Sequence, residues 1–302
     1  MKRHRRMRKV RHLVLVNRSK KKHHVETVIA YALLGAFAGT LAGMLGVGGG
    51  LVIVPVLIFL WQPEGLGGEQ AVHLAIGTSL AVIVFTSLSS VRAHHRRGSV
   101  LWPVFWRLTP GILLGAWLGA SVAALLPQAS LKTVFALFEL LVAAQMSFAL
   151  SAPSPVPSSA PASKLASKWD GLPGPLGMGL AGGLIGAVSA LVGIGGGTMT
   201  VPFLSACKLR MQQAVGTSSA CGLPIAMGGT VSYIALGWGN VQLPAGSVGY
   251  VFGPALLGIA ITSMLFAPLG AALAHRLSTR MLKRIFAAFL AVLGLWMLAS
   301  QW

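Results

Sequence analysis

Two glycine clusters and two Thr-Ser pairs are the residues of this chain best placed to do chemistry. The first cluster is Gly46-Val47-Gly48-Gly49-Gly50, followed by Pro55; the second is Gly193-Ile194-Gly195-Gly196-Gly197, followed by Pro202, with every position displaced by 147. Gly77-Thr78-Ser79 and Gly216-Thr217-Ser218 come next, displaced by 139, so the first copy holds eight more residues, most simply around Pro63 to Gln70. Three consecutive glycines after a long apolar run mark a place where a helix unwinds, since each costs ~1 kcal/mol relative to Ala in a helix. Inside a bilayer such backbone is tolerated only where it is buried in protein or lines a wet cavity. The helix that restarts would turn N–H groups and roughly half a positive charge toward that cavity, which suits an anion.

The hydroxyls of Thr78, Ser79, Thr217, Ser218 and the adjoining Ser219 would hold an oxyanion without adding charge. A helical Ser or Thr also commonly bonds its own preceding carbonyl, so that assignment stands beside the functional one. The candidate substrate-binding residues are Gly46, Gly48, Gly49, Gly50, Pro55, Thr78 and Ser79, with Gly193, Gly195, Gly196, Gly197, Pro202, Thr217 and Ser218. Single glycines such as Gly35, Gly39, Gly115 and Gly119 are assigned to close helix packing instead.

Acidic residues are scarce: Glu26, Glu64, Glu69, Glu139 and Asp170. Only Glu139 lies deep in an apolar run, where a carboxylate is a functional candidate by default. Three roles stay open for it: a proton relay, a partner of Arg107, or a neighbour of Gln145 in a packed interior. The corresponding residue of the second half is Leu290. A cation pathway resting on a single carboxylate is poorly supported, whereas an anion pathway needs none. No enzyme, cofactor or metal site is expected. The glycine runs lack the strand and downstream acid of a dinucleotide fingerprint, and no Lys-Ser/Thr follows to make a phosphate loop. His23-His24 and His94-His95 stand among basic residues without carboxylate or cysteine partners. Cys207 and Cys221 imply no disulfide framework.

The elements that must position these residues are membrane helices. The chain is 55% hydrophobic and 10% charged, against about 25% charged in a soluble protein. Apolar runs cover roughly 27–46, 51–61, 71–91, 100–126, 131–150, 175–193, 198–206, 212–236, 244–270 and 281–300. Several reach the ~20 residues that span a bilayer core, and they are apolar on every face, unlike barrel strands. The expected fold is an all-α membrane protein, a polytopic helical bundle of two internal repeats with Gly-broken helices. Leu51–Trp61 and Thr198–Ala206 are too short to cross and read as half-helices, re-entrant pieces or continuations of a broken helix.

The expected organisation is a basic tail over 1–25, a first transmembrane repeat over 26–150, a Ser/Pro/Ala linker over 151–173 and a second repeat over 174–302. Eleven of the 24 Lys and Arg residues lie between Lys2 and Lys22, within a formal net charge of +19. That tail (residues 2–24) is expected in the cytoplasm against anionic lipid headgroups, in preference to a nucleic-acid arm. Eight full crossings plus short broken segments are favoured. Five passages per half would invert the repeats and four would leave them parallel; the charges alone decide neither.

The pattern G-x-x-x-G-x-x-x-G-x-G-G-G-x-x-x-x-P followed by G-T-S, present in each half, resembles the sulfite exporter TauE/SafE family of membrane permeases. Here it is carried by Gly39, Gly43 or Gly46, Gly48 to Gly50, Pro55 and Gly77 to Ser79, then by Gly183, Gly193, Gly195 to Gly197, Pro202 and Gly216 to Ser218. Gly98 with Trp102, and Gly111, Gly115 and Gly119, look like the family's third and fourth segments. The resemblance spans about 27–300; the basic tail and the first-half insertion depart from it. It implies a multi-pass protein of the cell inner membrane that exports sulfite, organosulfonates or related small anions. Export also follows the membrane potential, which favours outward anion movement by ~2.3 kcal/mol per 100 mV. The alternatives are an importer or channel for another small solute and, in a different class, a membrane scaffold that recruits a partner through its tail. No oligomeric state is read from the sequence.

Overall fold

The computed structural model describes residues 26–44, 46, 48–148, 172–273 and 279–300, without side chains for 279–283. The expectations for the tail, including its lipid contacts over 2–24, and for most of the linker lie outside the described residues. Ten helices follow in order. They are α1 (Glu26–Met44), α2 (Gly50–Trp61), α3 (Ala71–Arg96), α4 (Trp102–Leu125), α5 (Gln128–Phe148), α6 (Pro175–Val192), α7 (Gly197–Ala206), α8 (Met211–Leu236), α9 (Gly253–Leu273) and α10 (Thr279–Ala299). A 3-10 turn, Gly68–Gln70, precedes α3, and a two-residue hairpin, β1 (Ser247–Val248) with β2 (Val251–Phe252), precedes α9. Among the described residues seven helices are long and apolar enough to cross a membrane, and α10 adds an apolar stretch over Arg284–Ala299. The chain is an all-α, multi-pass membrane protein.

Cross-helix contacts give each helix its direction. Gly35, Gly39 and Gly43 of α1 abut Ile259, Ser263 and Ala267 of α9, so these two helices run parallel. Gly111, Gly115 and Gly119 of α4 abut Gly179, Gly183 and Ala187 of α6 in the same way. In both pairs a side chain at the glycine would overlap the partner's backbone, so the four-residue glycine spacing is what lets the helices meet. The pair α3 and α8 runs antiparallel, with Gly77 against Tyr233 and Gly229 against Leu80. Likewise α5 and α10 oppose each other, and Lys132 Nζ donates to Ser300 Oγ at 2.7 Å.

The short helices double back. Trp61 Nε1, at the end of α2, donates to the Tyr31 hydroxyl near the start of α1 at 2.8 Å. Thus α2 does not continue α1: α1 crosses, the glycine segment turns, and α2 returns to the face where α1 began. In the second half Leu204 of α7 shares a cluster with Met178 of α6, which marks the same reversal. The face on which α1 starts is called proximal here, the opposite one distal. Each half makes five passages, so α1 leaves the proximal face and α6 leaves the distal one.

Candidate functional site

The turns between α1 and α2 and between α6 and α7 are built on left-handed backbone. Gly46, Gly48 and Gly49 have φ of +69°, +78° and +79°, and Gly193, which closes α6, has +73°. An L side chain is strained there. The two turns also press on each other. A Cβ on Gly48 would lie 2.9 Å from the Gly195 Cα, and one on Gly50 would run into the Gly193 carbonyl and lie 2.9 Å from the Ile194 Cα. The structure therefore brings the two glycine clusters together, backbone on backbone. Each returning helix starts at this contact and carries its proline, Pro55 or Pro202, at its sixth position, inside the short helix and away from the turn.

The Gly-Thr-Ser triplets tie this centre together crosswise. Ser79 Oγ donates to the Gly193 carbonyl at 2.9 Å, and Ser218 Oγ donates to the Gly46 carbonyl at 3.3 Å. Each serine thus holds the first glycine of the opposite cluster. Thr78 Oγ1 donates to the Leu74 carbonyl at 2.6 Å and accepts the Phe252 N–H at 2.9 Å. Thr217 Oγ1 accepts the Leu101 N–H at 3.0 Å. Leu101 and Phe252 immediately precede α4 and α9, so the threonines satisfy backbone donors where those helices begin. All four hydroxyl groups are engaged with backbone in this conformation.

Beside the clusters lies a cavity of about 10 Å³, lined by Gly46 and Gly48, by Thr86, Ser87 and Ser90 of α3, by Ser219 and Gly222 of α8, and by Ala42. Its walls are hydroxyls, backbone and methyls, with no charged side chain among them. Thr86 Oγ1 and Ser263 Oγ of α9 are 2.7 Å apart, and Ser90 Oγ donates to Ser219 Oγ at 3.3 Å. The space is about that of one water, too small for a larger solute in this conformation. Of the sequence-derived candidates, Gly46, Gly48 and Ser219 line this cavity, while Gly195 packs against Gly48 and Gly193 against Gly50.

Thr86, Ser87 and Ser90 were not singled out from the sequence, yet a signal was there. Ser79, Thr86, Ser87 and Ser90 fall on one face of α3 at helical spacing. Glu139 lies elsewhere. It is fully buried, it belongs to α5, and neither carboxylate oxygen has a hydrogen-bond partner. The pairings with Arg107 or Gln145 are therefore not made in this conformation. Among the described residues, no group of three or more His, Cys, Asp and Glu is arranged to hold a metal ion.

A family model described as sulfite exporter TauE/SafE matches residues 31–297, from the first turns of α1 to the end of α10. The chain belongs to the sulfite exporter TauE/SafE family. Curated relatives agree with it over nearly their full length. A "Probable membrane transporter protein" of Haemophilus influenzae is 36% identical over 269 residues, covering 89% of this chain and 97% of the relative. A protein of the same description from Methanocaldococcus jannaschii is 28% identical, with coverage of 88% and 93%. Another, from Bacillus subtilis, is 29% identical, with coverage of 88% and 95%. No solved structure matches the chain. This TauE/SafE member is a multi-pass membrane transporter, and both of its glycine turns lie within the matched region.

Proposed function

We propose that this transporter exports small oxyanions, such as sulfite or organosulfonates, across the inner membrane through the hydroxyl-lined cavity beside the crossed glycine turns. The observation that carries this reading is the cavity wall: Thr86, Ser87, Ser90 and Ser219 with glycine backbone, and no carboxylate. Neutral donors grip a weakly basic oxyanion and let it go again, where a fixed cation would hold it. The positive ends of α2 and α7 both begin at the glycine contact and bias the region further toward anions. Membership of a family described as sulfite exporters points to the same substrate class.

The halves 26–150 and 174–302 are taken as two inverted repeats that trade contacts across the centre. The opposite directions of α1 and α6 support this, as do the exchanged bonds from Ser79 to Gly193 and from Ser218 to Gly46. The substrate then sits where the repeats meet, and rocking of one against the other opens the cavity to either face.

Counterflow of labelled sulfite in reconstituted vesicles, competed by a panel of oxyanions and cations, tests the substrate class. Competition by sulfite or sulfonates and none by cations is expected; uptake of Ni²⁺ or a polyamine in preference to every oxyanion overturns it. The same vesicles test Glu139 as a proton carrier. Glu139→Gln is expected to abolish the response of flux to an imposed pH gradient while leaving sulfite binding unchanged. A lower melting temperature with the response intact would make Glu139 structural.

A further inference from the structure

Thirteen of the 24 Lys and Arg residues follow the tail, and the fold sorts those among the described residues by face. Arg92, Arg96 and Arg97 stand exposed where α3 reaches the distal face. Lys208 and Arg210 are exposed in the turn from α7 to α8, also distal. The helix α10 starts on that face and carries Arg280, Lys283 and Arg284 in its first two turns. Arg107 is exposed in the second turn of α4 from the same face. The one remaining cation among the described residues, Lys132, is near the proximal end of α5, half-buried and bonded to Ser300. Proximal connections carry the exposed acids Glu64 and Glu69 and no other charge among the described residues.

We propose that the distal face is the cytoplasmic one, lying against the anionic headgroups of the inner leaflet, with α1 starting on the outer side. The α3–α4 turn, the α7–α8 turn and the start of α10 carry cations on this face, and packed helices hold these three stretches to it. Basic residues near membrane ends resist translocation, and the anionic leaflet attracts them. The eleven cations of the tail argue for the reverse. They are one terminal segment against three internal ones, and the fold puts the start of α1 opposite those three. The orientation also assigns the cavity a side: Ser90 lies six residues from the distal end of α3, or roughly 9 Å along a helix axis. This conformation thus keeps the cavity nearer the cytoplasm, the side from which an exporter loads.

Thiol labelling reads the orientation whatever the substrate. Cys207, half-buried at the end of α7, marks the distal face, and the other cysteine, Cys221, is buried. Burial pushes the Cys207 thiol up, so labelling with a membrane-impermeant maleimide is run at alkaline pH. Gln242→Cys in a Cys207→Ser background marks the exposed proximal loop. In intact cells Gln242→Cys is expected to label and Cys207 is not, with the pattern reversed in inside-out vesicles. Should Cys207 react slowly everywhere, Ser205→Cys in the same background supplies an exposed distal thiol. The opposite pattern overturns the proposal, and so does equal labelling of both positions in intact cells. Neutralising the tail cations is expected to leave the pattern unchanged; inversion would show that the tail sets orientation.

Discussion

The cavity and the segment at the corresponding positions of the second half differ in what fills them. Shifted by the 139 residues that relate the Gly-Thr-Ser triplets, Thr86, Ser87 and Ser90 become Ile225, Ala226 and Gly229, while Ser219 and Gly222 become Leu80 and Ile83. On the distal side the slot between α3 and α8 is walled with hydroxyls and left open. On the proximal side the matching positions are apolar and packed: Leu80 and Ile225 are fully buried, and a Cβ on Gly229 would come within 2.8 Å of the Leu80 side chain. Two similar glycine turns thus create two slots, and side chains make one a polar cavity and the other a plug.

The largest effect is expected at the contact the two turns share. Gly50→Leu drives a side chain into the Gly193 carbonyl, and Gly193→Leu adds bulk at left-handed φ against Ile76. Overpacking of this kind costs about 3 kcal/mol or more, so both variants should yield little folded protein in detergent size-exclusion runs. Normal yields and melting temperatures for both would show that the turns do not depend on each other.

Next come changes that set the two slots apart. Ser87→Leu should fill the cavity and cut sulfite counterflow per folded molecule by at least about tenfold, an effect of ~1.4 kcal/mol. Ser87→Ala removes one donor and should weaken sulfite binding several-fold, in keeping with ~0.5–1.5 kcal/mol per hydrogen bond. Ala226→Ser, the reciprocal change in the plug, should leave binding where it was. Equal effects of Ser87→Ala and Ala226→Ser on affinity would erase the distinction between cavity and plug.

The smallest effect on transport is expected at the threonines. Thr78→Val and Thr217→Val strand the Phe252 and Leu101 N–H groups, at about 1–3 kcal/mol for each buried donor left unpaired. The loss should appear as a lower melting temperature with sulfite affinity unchanged. A fall in affinity with stability intact would return both hydroxyls to the substrate.

Much of this was legible in the chain itself. The apolar runs defined the helices because a bilayer leaves backbone no other way to satisfy its hydrogen bonds. The doubled Gly-x-Gly-Gly-Gly located the turns, because no other residue follows such backbone without strain. The four-residue spacing of Gly35, Gly39 and Gly43, and of Gly111, Gly115 and Gly119, announced close helix contacts. What the chain left open was every pairing between distant segments. Thr78 and Ser79 are adjacent, yet one meets Phe252 and the other Gly193. Short-range pattern is silent about partners 174 and 114 residues away. Sequence periodicity put Thr86, Ser87 and Ser90 on one face of α3, but only packing against α1 and α8 showed that this face borders a cavity. The same holds for sidedness. A charge has its sign in the sequence; the face it stands on follows from how many times the chain has crossed, and the doubling back of α2 and α7 settled that number.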